Sequence, residues 1–273
     1  RGVNEKERFR IYSWEKLYEL RTNLVYLVLY IIDEALKDLD FNDNNEYKKF
    51  VKLLIKLRMS DNNDLAIIST NWDNLLEKYI EDSIVSEPNI KTDYCIYTYK
   101  LNDNSHVSDI VRKAKGFDNI KILKLHGSIN WLYCSNCKRI YIDDLSIGIE
   151  TKQCEYCNTE NLKESGLDIE PIIITPTLLK EYHNLYIQGI WQNAFIELQE
   201  ATKVYFIGYS LPKIDFELKY LLKKSIKFLD ITVILAPSDK DAEAHKNYQR
   251  LFGNKNVTYC FEGFSKWIDN FIL

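Results

Sequence analysis

Four of the six cysteines fall into two Cys-x-x-Cys pairs, Cys134/Cys137 and Cys154/Cys157, with 16 residues between the pairs. Each pair brings two thiolates to one side of a tight turn. Two such turns complete a tetrahedral sulfur site that suits Zn²⁺. Four Cys ligands leave no open coordination position, so the implied zinc is structural rather than catalytic. A second group is Leu123-Lys124-Leu125-His126-Gly127-Ser128. A His at a strand end, followed by Gly, stands at a cleft rim with room for a ligand. His is also the side chain best suited to proton transfer near neutrality. A lone His is more often a core or surface residue, and His106, His183 and His245, in polar stretches, read that way. A third group, Ser69-Thr70-Asn71-Trp72-Asp73, spans a strand end and a helix start. Thr70 or Asn71 could cap the helix with Asp73 complementing its dipole. The same polar cluster could instead face a ligand at the strand's carboxyl end. A fourth runs from Val204 to Pro212 and on to Asp215. In it Gly208 allows close backbone approach and Ser210 can donate a hydrogen bond.

These groups need a frame to hold them. Three-to-four apolar spacing predicts helices over 14–38 and 45–58, with a polar break at 61–64. Leu65–Ser69 is a short, almost wholly apolar strand of the kind buried on both faces of a parallel sheet. Helical spacing resumes from Asn71 to Ile80. Strands are predicted at 94–99, 120–125, 172–174, 203–207, 231–235 and 257–261. Helices are predicted at 185–200, 214–228, 239–251 and 264–272. The alternation defines an α/β chain with a mostly parallel sheet, whose ligands sit at strand carboxyl ends. Residues 134–170 differ, being rich in Cys, Asp, Glu and Asn around Ile140-Tyr141-Ile142, and read as a small inserted module. Cys95 and Cys260 lie inside predicted apolar strands and are expected in the core.

The chain has 273 residues, 46% apolar and 28% charged, with net charge −4. That supports a packed core and excludes a mainly disordered chain. The mild acidity argues against a direct nucleic-acid grip, which needs a basic patch. The longest uncharged apolar run, Leu24–Ile32, is nine residues. It is too short for a membrane span of about 20 residues and reads as a buried helix or an oligomer contact. Residues 1–10 show no targeting signal. Paired metal-type cysteines suit a reducing, cytoplasmic setting. Only 9 residues are Gly, and no two lie within three positions of each other, so a Gly-rich phosphate loop is not among these residues.

Taken together, the ordered motifs resemble the sirtuin superfamily, and more closely its prokaryotic sirtuin-like branch. The carriers are Ser69–Asp73, Leu125-His126-Gly127-Ser128-Ile129-Asn130-Trp131, the two cysteine pairs, and Gly208–Pro212 with Asp215. The resemblance covers roughly residues 60–273. It implies a Rossmann-like, NAD-binding domain (61–133 and 171–273), a helical segment (1–60) and an inserted zinc-ribbon lobe (134–170). It implies Asn71 positioning the nicotinamide ribose or the attacking water, and His126 as catalytic base. Asp73 would hold the carboxamide. Thr70, Gly127, Ser128, Gly208 and Ser210 would line the cofactor path, with Pro237 and Ser238 near the adenosine end.

Two departures shape the expected function. Protein-deacylating sirtuins usually carry Gln where Thr70 stands, and follow His-Gly differently. The His126–Trp131 form resembles the branch that hydrolyses NAD in anti-phage defence. The family's Gly-Ala-Gly loop is expected before about residue 14, so either it precedes Arg1 or cofactor binding has been lost. The leading expectation is therefore an NAD⁺ hydrolase, homo-oligomeric, with a defence partner such as an ATPase, an Argonaute-like protein or a sensor. An NAD-dependent protein deacylase and a non-catalytic NAD- or ADP-ribose-binding module are the alternatives.

Overall fold

The computed structural model describes residues 13–37, 45–60, 65–84, 90–100, 118–142, 152–159, 168–174, 184–226, 230–240, 242–253 and 256–271. The break at 61–64, His106 and His183 lie outside them.

Helices α1 (Trp14–Lys37) and α2 (Glu46–Met59) open the chain. Asn45 caps α2, its side chain accepting from the Lys48 amide. Strand β1 (Ala66–Ser69) leads to α3 (Leu75–Ile84), β2 (Ile90–Asp93), β3 (Thr98–Lys100) and β4 (Asp118–Lys124). Strands β1, β4 and β2 form a parallel sheet in that order. Next come β5 (Gly127–Tyr133), β6 (Ile140–Ile142), β7 (Lys152–Gln153), α4 (Glu155–Thr159) and β8 (Asp168–Ile173). The C-terminal part alternates α5 (Leu185–Glu200), β9 (Lys203–Ile207), α6 (Phe216–Ser225), β10 (Asp230–Ile234), α7 (Glu243–Phe252), β11 (Val257–Cys260) and α8 (Gly263–Asn270). There β11, β10 and β9 form a second parallel sheet.

Shared helices join the two parallel sheets. Helix α2 packs on β4 and on α8, where Phe50 meets Phe264 edge to face. Helix α5 packs on β4 and on α6, and its Glu197 pairs with Lys121 at 2.6 Å. One apolar core therefore runs through both, from Ile120 and Ile122 to Ile231 and Val233. A third sheet, β3-β6-β5-β8-β7, carries the cysteines and a small core of its own around Leu132, Tyr141 and Ile169. It draws β3, β5 and the start of β8 together, so the small lobe uses strands on both sides of the 134–170 insert.

Four local expectations are corrected. Of the predicted strand 94–99, only Thr98 and Tyr99 are strand, in β3, while 94–97 form a turn between β2 and β3. Asp93 accepts from the Cys95 amide at 2.7 Å, and Cys95 has φ +57°. Cys95 thus sits in a turn, not a strand. Helix α3 starts at Leu75, not Asn71. Strand β1 is half-buried throughout. On α1, Leu24, Leu27 and Ile31 are exposed, so only one side of that helix is buried. The described residues include no helix long and apolar enough to cross a membrane.

Candidate active site

Strands β1 and β4 end level, with Ser69 opposite Lys124. Whatever follows each strand is therefore brought together. His126 Nδ1 lies 3.3 Å from the Thr70 carbonyl oxygen. A carbonyl only accepts, so this contact favours hydrogen on Nδ1 and leaves a lone pair on Nε2. Nε2 faces Asp215 Oδ1 at 3.9 Å. Asp215 comes from the second sheet, between β9 and α6. It starts α6 without capping the helix by its side chain. Its Oδ2 instead accepts from the Tyr209 hydroxyl at 2.6 Å. Burial, reinforced by the Asp215 carboxylate, pushes the Tyr209 phenol far above its ordinary value, so it remains a donor. Tyr248 in turn donates to the Tyr209 carbonyl at 2.7 Å. Trp191 donates to the Leu125 carbonyl at 2.9 Å and stands beside the His126 ring.

Residues 70–74 are held outside the helix by bonds to β4, β5 and the turn between them. This explains why the helix starts late. Leu125 N–H donates to the Ser69 carbonyl (2.9 Å) and Ile129 N–H to the Trp72 carbonyl (2.8 Å). The buried Ser128 hydroxyl donates to the same Trp72 carbonyl at 3.3 Å. Lys124 Nζ donates to the Asp73 carbonyl and pairs with Glu77 at 3.1 Å. The side chains of Lys124 and Glu77 are 1% and 5% exposed. Asp73 Oδ1 accepts from the Leu75 amide at 3.1 Å, opening α3. The Asn71 side chain is exposed at the rim.

Gly127 has φ +79°, and a Cβ there would lie 2.0 Å from the Ile172 carbonyl oxygen. It turns the chain from β4 into β5 against β8, where the sequence placed it on the ligand path. Ser128 likewise braces the 70–74 loop. Gly208 (φ +63°) has open space where a side chain would be. Gly208 and Ser210 are exposed after β9. Pro237 and Ser238 are exposed in the 3₁₀ turn after β10. Ile207 pairs with Ile234, so these four residues share the carboxyl edge of the second sheet.

The structure thus brings Thr70 and His126 together, with Asn71 beside them. It adds Asp215, Tyr209, Lys124, Glu77 and Trp191, to which the sequence reading gave no role. One signal was available: Lys124 is a charged residue set between Leu123 and Leu125 at the end of an apolar strand.

The four thiols gather, every Sγ within 4.8 Å of the others. Cys134–Cys157 and Cys137–Cys154 are each 3.6 Å apart. Tetrahedral zinc with Zn–S of about 2.3 Å needs sulfurs about 3.8 Å apart, so the quartet fits the ion. Tyr141 lies 3.2 Å from Cys154 Sγ, and Asn136 donates to Cys157 Sγ at 3.4 Å. Burial pushes the Cys154 thiol up, but bonds from the Tyr141 hydroxyl, the Cys157 amide and neighbouring thiols outweigh it. Together they bring it down to about 7. Burial instead pushes the Cys137 and Cys157 thiols up, so a metal binding here would displace their protons.

Residues 65–260 match the family model of the SIR2-like domain. The chain belongs to the SIR2-like family. The match includes His126, Asp215, the 69–73 segment and all four clustered cysteines, and leaves α1 and α2 outside. Among solved structures, a Sir2 homologue in complex with ADP-ribose superposes with TM-score 0.50 at 14% identity. The alignment covers 98% of this chain and 81% of that one. A Sir2 homologue–NAD complex gives 0.44 at 13% identity, over 84% and 64% of the two chains. At such identity the first likeness speaks for the fold, which is a SIR2-like α/β fold with open, mostly parallel sheets. A search of curated protein sequences finds no match.

Proposed function

We propose that this SIR2-like chain consumes NAD⁺ by breaking the bond between nicotinamide and ribose, with His126 as general base. One observation carries the reading: His126 presents Nε2 toward Asp215 where the carboxyl ends of two parallel sheets meet. Loss of nicotinamide leaves an oxocarbenium-like ribose. The site then needs a base and oriented polar groups rather than a strong nucleophile. His126 takes the proton of the incoming acceptor on Nε2, and the facing Asp215 carboxylate stabilises the resulting imidazolium. Asn71 at the rim orients the ribose or the acceptor. Asp73 holds the carboxamide. Gly208, Ser210, Pro237 and Ser238 provide the edge along which the phosphates and adenosine lie. Water as acceptor gives nicotinamide, ADP-ribose and a proton.

The form of the motifs, with Thr70 and His126–Trp131, favours water, and with it NAD depletion as an effector of anti-phage defence. That role brings a homo-oligomeric assembly and a sensor, ATPase or Argonaute-like partner. Family membership and the cysteine quartet, where Cys134, Cys137, Cys154 and Cys157 would hold a structural zinc, favour a second reading more strongly. In it an acyl-lysine is the acceptor and the protein is a deacylase. The deciding experiment follows nicotinamide release from NAD⁺ with and without an acetylated peptide. Release without peptide selects hydrolysis; release only with peptide selects deacylation. In either case His126→Ala should lower release by about 100- to 10,000-fold. Unchanged release in that variant refutes the assigned base. Binding of NAD⁺ or ADP-ribose without release by wild type selects a non-catalytic module.

A further inference from the structure

Helix α1 has two apolar faces. Leu29 and Leu36, with Val25 and Ile32, pack inward on Ile129, Trp72, Leu75 and Ile173. The other face repeats apolar residues at alternating three- and four-residue steps: Leu17, Leu20, Leu24, Leu27 and Ile31. This is the spacing of a helix–helix seam. Leu20, Leu24, Leu27 and Ile31 are 46, 59, 54 and 57% exposed. One such residue on a surface means little, but a continuous stripe of them needs a cover.

We infer that this stripe pairs with the same stripe of a second copy of the chain, antiparallel about a two-fold axis between Leu24 and Leu27. Three observations select a second copy. First, the seam is self-complementary: Leu24 meets Leu27, and Leu20 meets Ile31, of the other copy, as an isologous contact requires. Second, no residue from Thr22 to Ile32 is charged, so no like charges meet on the axis. The charges lie at the two ends, in the pairs Lys16–Glu19 and Glu34–Lys37. Antiparallel pairing brings Lys16 level with Ala35 of the other copy, one residue from Glu34, giving an apolar centre with a charged rim. Third, the four residues with the neighbouring exposed Tyr18 and Tyr30 present several hundred Å². This approaches the about 800 Å² per partner of a standard interface. The inner face of the same helix supports Trp72, so pairing would stiffen the loop that carries Asn71.

The test is the mass of the 273-residue chain in solution by light scattering, which is independent of activity. At about 0.1 mM, where an interface of this size is filled, wild type is expected at an even multiple of the single-chain mass. Leu24→Lys/Leu27→Lys and Leu24→Glu/Leu27→Glu each alter only solvent-facing positions. Each variant should run at half the wild-type mass with an unchanged circular dichroism spectrum, and mixing the two should restore the wild-type mass. Wild type at single-chain mass, either variant keeping the wild-type mass, or no restoration on mixing would overturn the proposal.

Discussion

In the proposed scheme His126 acts as a base only because of what surrounds it. The Thr70 carbonyl occupies one ring nitrogen, so the other is turned to Asp215. Asp215 is a positioning residue in this scheme, and its effect is separable from folding. Asp215→Asn keeps the shape and the bond from Tyr209 but removes the charge facing the imidazolium. The expected result is a fall of about 10- to 100-fold in kcat with little change in KM, read from initial rates of nicotinamide release. Gly127 is fixed by geometry of another kind. A methyl group there would strike the Ile172 carbonyl, and the positive φ disfavours any L side chain. Gly127→Ala should lower unfolding stability by at least about 1–2 kcal/mol, measured by urea titration. Gly208→Ala, with open space around it, should cost only the backbone strain and is the natural control.

At the scale of elements, the strongest dependency is the clamp between β4 and the 70–74 loop. Lys124 and Glu77 are buried together. Removing one partner leaves the other as an unpaired buried charge, at about 3–5 kcal/mol. Lys124→Met and Glu77→Leu should each destabilise on that scale in denaturant unfolding. The double variant should lose much less than their sum, because no orphan charge remains. The sequence made most elements legible. Apolar spacing located α1, α2 and α5, and β9 and β10 came out nearly to the residue because a short apolar run between turn residues has few other readings. It failed where a side chain or a distant strand decides local shape. Asp93 bends 94–97 into a turn that apolar alternation reads as strand. The bonds from Leu125, Ser128 and Ile129 keep Trp72 out of a helix that its own neighbours would allow. Strand β5 was hidden because His126-Gly127-Ser128 reads as a loop, and only the pairing with β6 and β8 makes it a strand.

At the scale of the molecule, two parallel sheets share one core, to which the third sheet adds Trp131, Ile140 and Ile172, while a second, smaller core gathers at the cysteines. Among the described residues that smaller core is built on Leu132, Tyr141 and Ile169 around four thiols, and a metal held by those thiols would crosslink it. With zinc held as proposed, chelation should unfold residues of the small lobe first and leave the parallel sheets standing. Near-ultraviolet dichroism and limited proteolysis would follow this, with about one zinc per chain released. A folded small lobe with far less than one zinc per chain would contradict it. The site was only partly legible at this scale. Short motifs marked where strands end, but the approach of Asp215 to His126 depends on how the two sheets are set against each other. No local spacing encodes that.

The loop clamp also supplies its own reporters. The amide hydrogens of Leu125 and Ile129 are bound to carbonyls of Ser69 and Trp72, at the two ends of the segment that carries Asn71. Each can exchange with solvent only when that segment lifts away from β4 and β5. Their deuterium uptake therefore reads the docked population of the loop without any substrate. Neighbouring amides inside β4, such as that of Ile122, provide the baseline of the sheet itself. Slow exchange at both positions identifies a site preformed before any ligand arrives; fast exchange at Ile129 alone identifies one that the ligand must close.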